Sequence, residues 1–235
     1  VGQPIAYFWG LQTDGIFQTI EEVNNSAQRG NAQPGDRRFR DINNDGTINS
    51  DDRVNLGNGL PRYLFGANLR VEFRGFDLNM LWQGQAGNKI ANNNLRHLYD
   101  IRNYNGAGVQ NLSRDMLNRW TGPGTSNEFP KVSYNPTSTG FGNNNAFSTY
   151  YIENGSFLRL RNIQLGYTLP AAFASRFKAE RARFYISAQN LLTITSYSGF
   201  DPEVGSLNQE VLTTGFDQGR YPVSRIFMAG FNLQF

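Results

Sequence analysis

The chain has 235 residues and a formal net charge of +3 spread over scattered Lys and Arg with no basic run, which argues against a nucleic-acid partner. Cysteine is absent, so disulfides, thiolate catalysis and Cys-ligated metals are excluded. With 25 Gly, 18 Phe and 11 Tyr the composition suits many strands and long polar loops. No apolar run approaches the ~20 residues of a membrane helix, so any membrane span here must be β. A mean hydropathy of −0.52 is compatible with that, because alternating strands average out to polar.

Residues 4–17 are the first expected strand, with Ile5, Tyr7, Trp9 and Leu11 on one face and Ala6, Gly10, Gln12 and Asp14 on the other. A polar stretch over 18–62 follows, too long for an ordinary connection in a compact domain. Residues 63–85 then carry the clearest pattern in the chain. Tyr63, Phe65, Ala67, Leu69, Val71 and Phe73 alternate with Gly66, Asn68, Arg70 and Glu72. After Arg74-Gly75 the phase resumes as Phe76, Leu78, Met80 and Trp82 against Asp77, Asn79, Gln83 and Gln85. Period two places successive side chains on opposite faces of a strand, so this is a tight hairpin with one apolar and one polar face.

A second long insertion occupies 86–155, with a short helix expected at 111–120 from the spacing of Leu112, Met116 and Leu117. Residues 157–169 form another strand, with Ile163, Leu165, Tyr167 and Leu169 opposed to Asn162, Gln164, Gly166 and Thr168. Arg159 and Arg161 share its apolar phase, which requires that end to lie beyond lipid. After a short link, residues 182–192 set Ala182, Phe184, Ile186, Ala188 and Leu192 against Arg183, Ser187 and Gln189, and Asn190 breaks the pattern. A third polar loop, 196–222, leads to a last strand over 223–235, where Phe227, Ala229, Phe231, Leu233 and Phe235 alternate with Met228, Gly230, Asn232 and Gln234.

The fold class is therefore all-β. Connections alternate long and short, as outer-membrane barrels do with long outer loops and short periplasmic turns. About six strands are expected, and the smallest barrels have about eight, so more chain must complete a barrel. The chain opens on Val1-Gly2-Gln3-Pro4 without a leader pattern, so a barrel reading expects a further N-terminal part.

One polar stretch has the spacing of a calcium loop. Asp41, Asn43, Asp45, Thr47, Asn49 and Asp52 take its positions 1, 3, 5, 7, 9 and 12, and Gly46 stands at the turn. An EF-hand carries Glu at the last position; the shorter Asp52 suits dockerin-like loops, and no flanking helices are expected. The plain alternative is a loop rich in Asx turns that folds without metal. His97 stands alone in a loop, no Ser/His/Asp set or glycine-rich phosphate loop stands out, and the chain does not read as an enzyme.

Several runs carry a family resemblance: GDRRFRDINNDGTINSDDRVNLGNGLPRYLFGANL (35–69), FRGFDLNMLWQGQAGNKI (73–90), YIENGSFLRLRNIQLGYTLP (151–170), RFYISAQNLLTITSYSGFDPEV (183–204) and YPVSRIFMAGFNLQF (221–235). In this order they resemble the C-terminal barrel half of SusC/RagA-type TonB-dependent transporters, over nearly the whole chain. The resemblance implies the C-terminal strands of an antiparallel transmembrane β-barrel of about 22 strands, with long extracellular loops. It implies residues 1–235 as one barrel portion, with plug, TonB box and earlier strands N-terminal to it. It further implies a Bacteroidetes-type outer membrane, TonB-driven import of oligosaccharides or peptides, and a SusD-like surface lipoprotein as lid.

On that reading Gln12, Asp14, Asn68, Arg70, Glu72, Asp77, Asn79, Gln83, Gln164 and Gln189 face the lumen. Opposite charges across the hairpin, Arg70 and Glu72 against Asp77 and Asn79, brace the wall. Trp9, Tyr63, Trp82, Tyr167 and Phe235 fall near strand ends, where rings favour the headgroup zone of the outer-membrane lipid. Phe231, Leu233 and Phe235 resemble the C-terminal signal read by the barrel-assembly machinery. Trp120, Phe129, Tyr134, Phe141 and Tyr150 stack on sugar rings or the lid, or pack within their own loop. The competing function is a soluble or surface β-rich binding module with a dockerin-like calcium loop, which needs a second sheet to cover the apolar faces.

Overall fold

The computed structural model describes residues 2–101, 110–132, 144–206 and 210–235; Tyr134 and Phe141 lie outside them. In chain order the elements are β1 (Tyr7–Leu11), β2 (Thr13–Ile16), α1 (Ile20–Asn24), β3 (Arg37–Phe39), β4 (Arg53–Asn58), β5 (Tyr63–Phe73) and β6 (Phe76–Ala86). There follow β7 (Lys89–Asn92), α2 (Asn93–Leu98), β8 (Ile152–Asn154), β9 (Phe157–Thr168), α3 (Ala171–Ala174), β10 (Arg181–Thr195), β11 (Phe216–Asp217) and β12 (Ile226–Gln234). Among the described residues no helix is long and apolar enough to cross a membrane. The chain divides into two compact units, one of Val1–Gly59, Lys89–Glu153 and Val204–Gly219, the other of Leu60–Asn88, Asn154–Glu203 and Arg220–Phe235.

The second unit is built on a five-stranded antiparallel sheet in the order β12-β10-β9-β6-β5. Its register sorts the side chains into rows. Phe73, Phe76, Tyr167, Phe184 and Phe231 form one row across all five strands, and Val71, Leu78, Leu165, Ile186 and Ala229 form the next. The opposite face carries the rows Glu72-Asp77-Gly166-Tyr185-Gly230 and Arg70-Asn79-Gln164-Ser187-Met228. Strands of 9 to 15 residues match what a tilted β span of a bilayer needs. The apolar rows are uncovered, with Phe73 at 67% and Phe231 at 65% exposure. The outer edges of β5 and β12 have no partner strand among the described residues. Open edges and a bare apolar face are intolerable in water, and both are resolved when more strands close a barrel in lipid.

Arg74 (φ +49°) and Gly75 (φ +87°) both adopt left-handed backbone, which makes the hairpin a mirror-image two-residue turn. A Cβ on Gly75 would stand 2.9 Å from the Thr168 carbonyl, so the small residue also lets β9 approach.

One expectation about this sheet is corrected. Against β6, β9 carries an extra residue at Arg161, because Leu81 faces Asn162 and Trp82 faces Leu160. Against β9, β10 carries an extra residue at Asn190-Leu191. The bulge is accommodated by Asn190 at φ +52°, a conformation Asn tolerates better than most residues. An inserted residue inverts the phase, so Arg159 falls in register with Gln83 and Thr193 on the polar face. The arginines therefore do not sit on the apolar face.

The first unit is made of short pieces. Residues 4–17 are not one strand: β1 pairs with β4, and β2 pairs with β3. Strand β7 lies between β8 and β11, parallel to the latter. Phe17, Val23 and Ala32 form a buried cluster, and the Phe8 ring meets Phe216 edge-on at 5.1 Å. Thr19 caps α1 by accepting from the Glu22 N–H. The helix expected near 111–120 is a 3₁₀ turn at Arg114–Asn118 that buries Met116 and leaves Leu117 exposed.

Candidate functional site

The polar face of the five-stranded sheet gathers Asn68, Arg70, Glu72, Asp77, Asn79, Gln83, Gln164 and Gln189, since each falls in its rows. Gln12 and Asp14 belong to the other unit and are not on this sheet. Asp14 is on β2, where Arg38 pairs with it at 3.4 Å. Trp9 is likewise on β1, outside the sheet.

The bracing of the wall differs from a simple cross-hairpin pairing. Glu72 and Asp77 face each other in register, and two carboxylates directly opposite repel. Each is neutralised by its own arginine. Glu72 pairs with Arg70 along the same strand. Asp77 pairs with Arg183, whose Nε donates at 2.8 Å from two strands away. The pair passes over Gly166, where a Cβ would stand 2.6 Å from Asp77 Oδ1. The missing side chain is what lets the guanidinium cross β9. Next along the row, the Tyr185 ring lies over Gly230, where a Cβ would meet its Cζ at 2.6 Å.

At the other end of this face the misphased arginines organise a buried cluster. Arg159, 1% exposed, donates from Nη2 to Asp201 at 2.6 Å, from Nη1 to Glu203 at 2.9 Å and from Nε to Thr193 at 2.9 Å. Arg161 donates to both oxygens of Glu203, at 2.6 and 2.7 Å, and from Nε to Gln83 at 3.0 Å. Asp201 also accepts the N–H groups of Glu203 and Val223, at 2.9 and 3.1 Å. Burial pushes the Asp201 carboxyl up, but those two N–H groups and the Arg159 guanidinium outweigh it and hold the group below the usual carboxylate range. Asn190 fastens the same region by donating to the Ser224 carbonyl at 3.1 Å. Both ends of the third polar loop, the 199–204 run and the 222–224 run, are thereby tied to the polar face. Alternation alone missed this cluster; its signal was the Asn190 break beside two arginines and the acidic pair Asp201 and Glu203.

The 41–52 loop closes on its own hydrogen bonds. Asp41 accepts from the Asn44 and Gly46 N–H groups at 2.7 and 2.9 Å. Asp45 accepts from the Thr47 N–H and hydroxyl, both at 2.8 Å, and from Asn43 Nδ2 at 2.9 Å. The Thr47 hydroxyl and then Asn43 hold its carboxyl below the ordinary value. Asn49 reaches Asp45 and Thr47, so the side chains at 43, 45, 47 and 49 are joined in one network. Asp52 is fully buried and accepts the N–H groups of Ile42 and Asn49, both at 2.8 Å. Among the described residues no three His, Cys, Asp or Glu side chains are grouped to hold a metal ion.

Of the loop aromatics, Trp120, Phe129 and Tyr150 pack within the first unit. The Trp120 ring lies against Gly35 and its Nε1 donates to Gln18 at 3.1 Å. Phe129 meets Tyr99 edge-on at 5.5 Å, and Arg37 stacks on Tyr150 at 3.4 Å. His97 falls in α2. Phe231 and Leu233 sit in the apolar phase of β12, with Phe235 just past its end.

A strand set of this length, apolar on one face, ion-paired on the other and without partner strands at either edge among the described residues, has the build of a wall segment of a transmembrane β-barrel. No protein-family model matches the chain. It is 31% identical to TonB-dependent receptor P3 of Formosa agariphila over 239 residues, covering 100% of this chain and 22% of that one. It is 29% identical to TonB-dependent receptor SusC of Bacteroides thetaiotaomicron over 207 residues, covering 87% of this chain and 18% of that one. The solved structure of the RagAB peptide transporter matches with a TM-score of 0.72 at 25% identity, over 97% of this chain and 22% of its counterpart. The chain thus spans about a fifth of the length of these relatives. Over its whole length it is similar to the C-terminal part of TonB-dependent receptors of the SusC and RagA kind.

Proposed function

We propose that this chain is the C-terminal part of the barrel of an outer-membrane importer of oligosaccharides or peptides. Import is driven by TonB through a plug held elsewhere in the polypeptide, and a SusD-like surface lipoprotein closes the mouth. The compartment is the outer membrane of a Bacteroidetes-type bacterium. The observation that carries this reading is the two-faced sheet: uncovered apolar rows outside, a neutralised polar wall inside, and two edges that need further strands. The relatives' names support it, one of the matched structures being called a peptide importer.

The test is uptake by cells carrying the whole gene. Deleting the gene is expected to abolish growth on one class of oligosaccharide or peptide, and removing TonB to have the same effect. The alternative, a soluble binding module, is favoured if the full protein is monodisperse in plain buffer; a barrel requires detergent or lipid.

We further propose calcium as an added ligand of the 41–52 loop, held by oxygens of Asp41, Asn43, Asp45, Thr47 and Asn49. Asp52 would anchor the loop from behind through Ile42 and Asn49 rather than chelate. Calorimetric titration of chelator-treated transporter tests it. Saturable heat that is lost with Asp45→Ala is expected, and no heat would remove calcium from the reading.

A further inference from the structure

The two short connections of the five-stranded sheet lie side by side, since the Thr168 N–H donates to the Gly75 carbonyl at 2.7 Å and the Leu169 N–H to the Ala182 carbonyl at 2.9 Å. They carry three exposed cations: Arg74 in the hairpin turn, and Arg176 and Lys178 in the link after α3. Among the described residues none of the three stands in an ion pair, whereas Arg70 and Arg183 at this end do. Glu180 is the exposed carboxylate of the same link. Arg181 belongs elsewhere, because its register with Gln234 puts it in the polar phase of β10.

Immediately beside these cations runs the aromatic row Phe73-Phe76-Tyr167-Phe184-Phe231 on the apolar face, with the Phe76 and Tyr167 rings 4.5 Å apart. Rings in such a row fix the depth of a barrel at the headgroup level, and long cationic side chains just beyond them reach the phosphate plane. Two of the cations are already placed over rings. The Arg74 guanidinium lies 5.1 Å from the Phe73 centroid and that of Arg176 lies 5.3 Å from Phe173. A guanidinium stacked this way is aimed and partly desolvated, and it offers its planar fork to phosphate.

We propose that this end of the sheet binds the phosphate headgroups of anionic phospholipids in the leaflet facing the short turns, with Arg74, Arg176 and Lys178 as the contacting groups. The occupant follows from charge complementarity beside an apolar band that is itself the lipid surface. The inference rests on the transmembrane reading and adds a lipid preference to it. Each cation near an anionic surface contributes about fivefold to retention at low salt.

The experiment uses the whole transporter, stripped of lipid in detergent and reconstituted into vesicles of phosphatidylethanolamine alone or doped with phosphatidylglycerol. Native mass spectrometry of the re-extracted protein reads the lipids that stay bound. Wild type is expected to retain phosphatidylglycerol well above its share of the bilayer. The triple variant Arg74→Gln, Arg176→Gln and Lys178→Gln should lose that preference by at least about tenfold. Heat-modifiable migration on gels confirms that the variant has folded. The wild-type arm stands even if the variant does not fold, because raised salt should weaken the preference by screening. Equal retention of the two lipids by wild type, or an unchanged preference in the folded variant, overturns the proposal and leaves the barrel intact. Failure of wild type to enter either vesicle would overturn both.

Discussion

Removing the Asp201 side chain tests whether the buried cluster anchors the third polar loop. In Asp201→Ala, Arg159 loses a charge-assisted hydrogen bond of 2.6 Å, and the N–H groups of Glu203 and Val223 lose their acceptor. A bond to a charged group contributes roughly 1.5–3 kcal/mol and an ordinary one roughly 1 kcal/mol. The sum, about 3.5–5 kcal/mol, lies in the range for breaking a buried pair and leaving one charge uncompensated. The converse change is milder. Arg159→Met also removes one partner of the pair, but Asp201 keeps its two backbone donors and Glu203 keeps Arg161, so fewer buried groups are left unsatisfied. Hydrogen exchange of the whole transporter in detergent reads the difference. Segments 199–204 and 220–225 should exchange more than about a hundredfold faster in Asp201→Ala, and the amides of β6 and β9 should be unchanged. The reasoning fails if Arg159→Met loosens the loop as much as Asp201→Ala does, or if neither change reaches it.

The same anchor has a pH limit. The folded-state value of Asp201 lies below its ordinary 3.8, so its stabilisation is fully present above that value and is lost as pH falls through the folded one. Protection of 220–225, corrected for intrinsic exchange, should therefore be flat down to about pH 4 and decline below it; a decline between pH 7 and 5 would assign the anchor to another group. Gly166→Val should part the Arg183–Asp77 pair and destabilise the barrel by about 1–3 kcal/mol in urea unfolding from lipid vesicles. A variant as stable as wild type would show that the pair does not need the gap. Phe235→Ser should lower the amount of transporter reaching the outer membrane without changing detergent-phase stability, read by blotting of membrane fractions; unchanged abundance would remove Phe235 as an assembly signal.

The sheet was legible because side-chain alternation has a period of two and nothing else competes with it over 63–85. What alternation cannot carry is an inserted residue. The single extra position at Arg161 inverts the phase of everything before it on β9, so alternation puts Arg159 on the wrong face although it places 162–168 correctly. Asn190 was visible as a break, and its left-handed backbone is the physical reason. Residues 4–17 failed for a related cause: the alternation continues across Gln12, but Ala6 and Gly15 take positive φ and the chain changes partner from β4 to β3. The small strands were beyond reach, since a two-residue strand such as β11 exists only through Ala91 and Asn92, more than a hundred positions away. The aromatic row needs the register of four strand pairs, which no single segment contains.

On the proposed import function, the polar wall constrains what selects the substrate. Each of its carboxylates has an arginine: Glu72 has Arg70, Asp77 has Arg183, and Asp201 and Glu203 share Arg159 and Arg161. A substrate charge passing this face would have to separate an existing pair, and for the buried Arg159 that is more costly than the new contact is favourable. What the wall offers without such a loss is neutral: Asn68, Asn79, Gln164 and Gln189 stand among the pairs as amide donors and acceptors. Amides suit hydroxyls and peptide groups alike, which fits a passage open to either class of cargo. On that function, discrimination falls to the segments where the sequence is least regular, the long polar loops, and to the proposed lid.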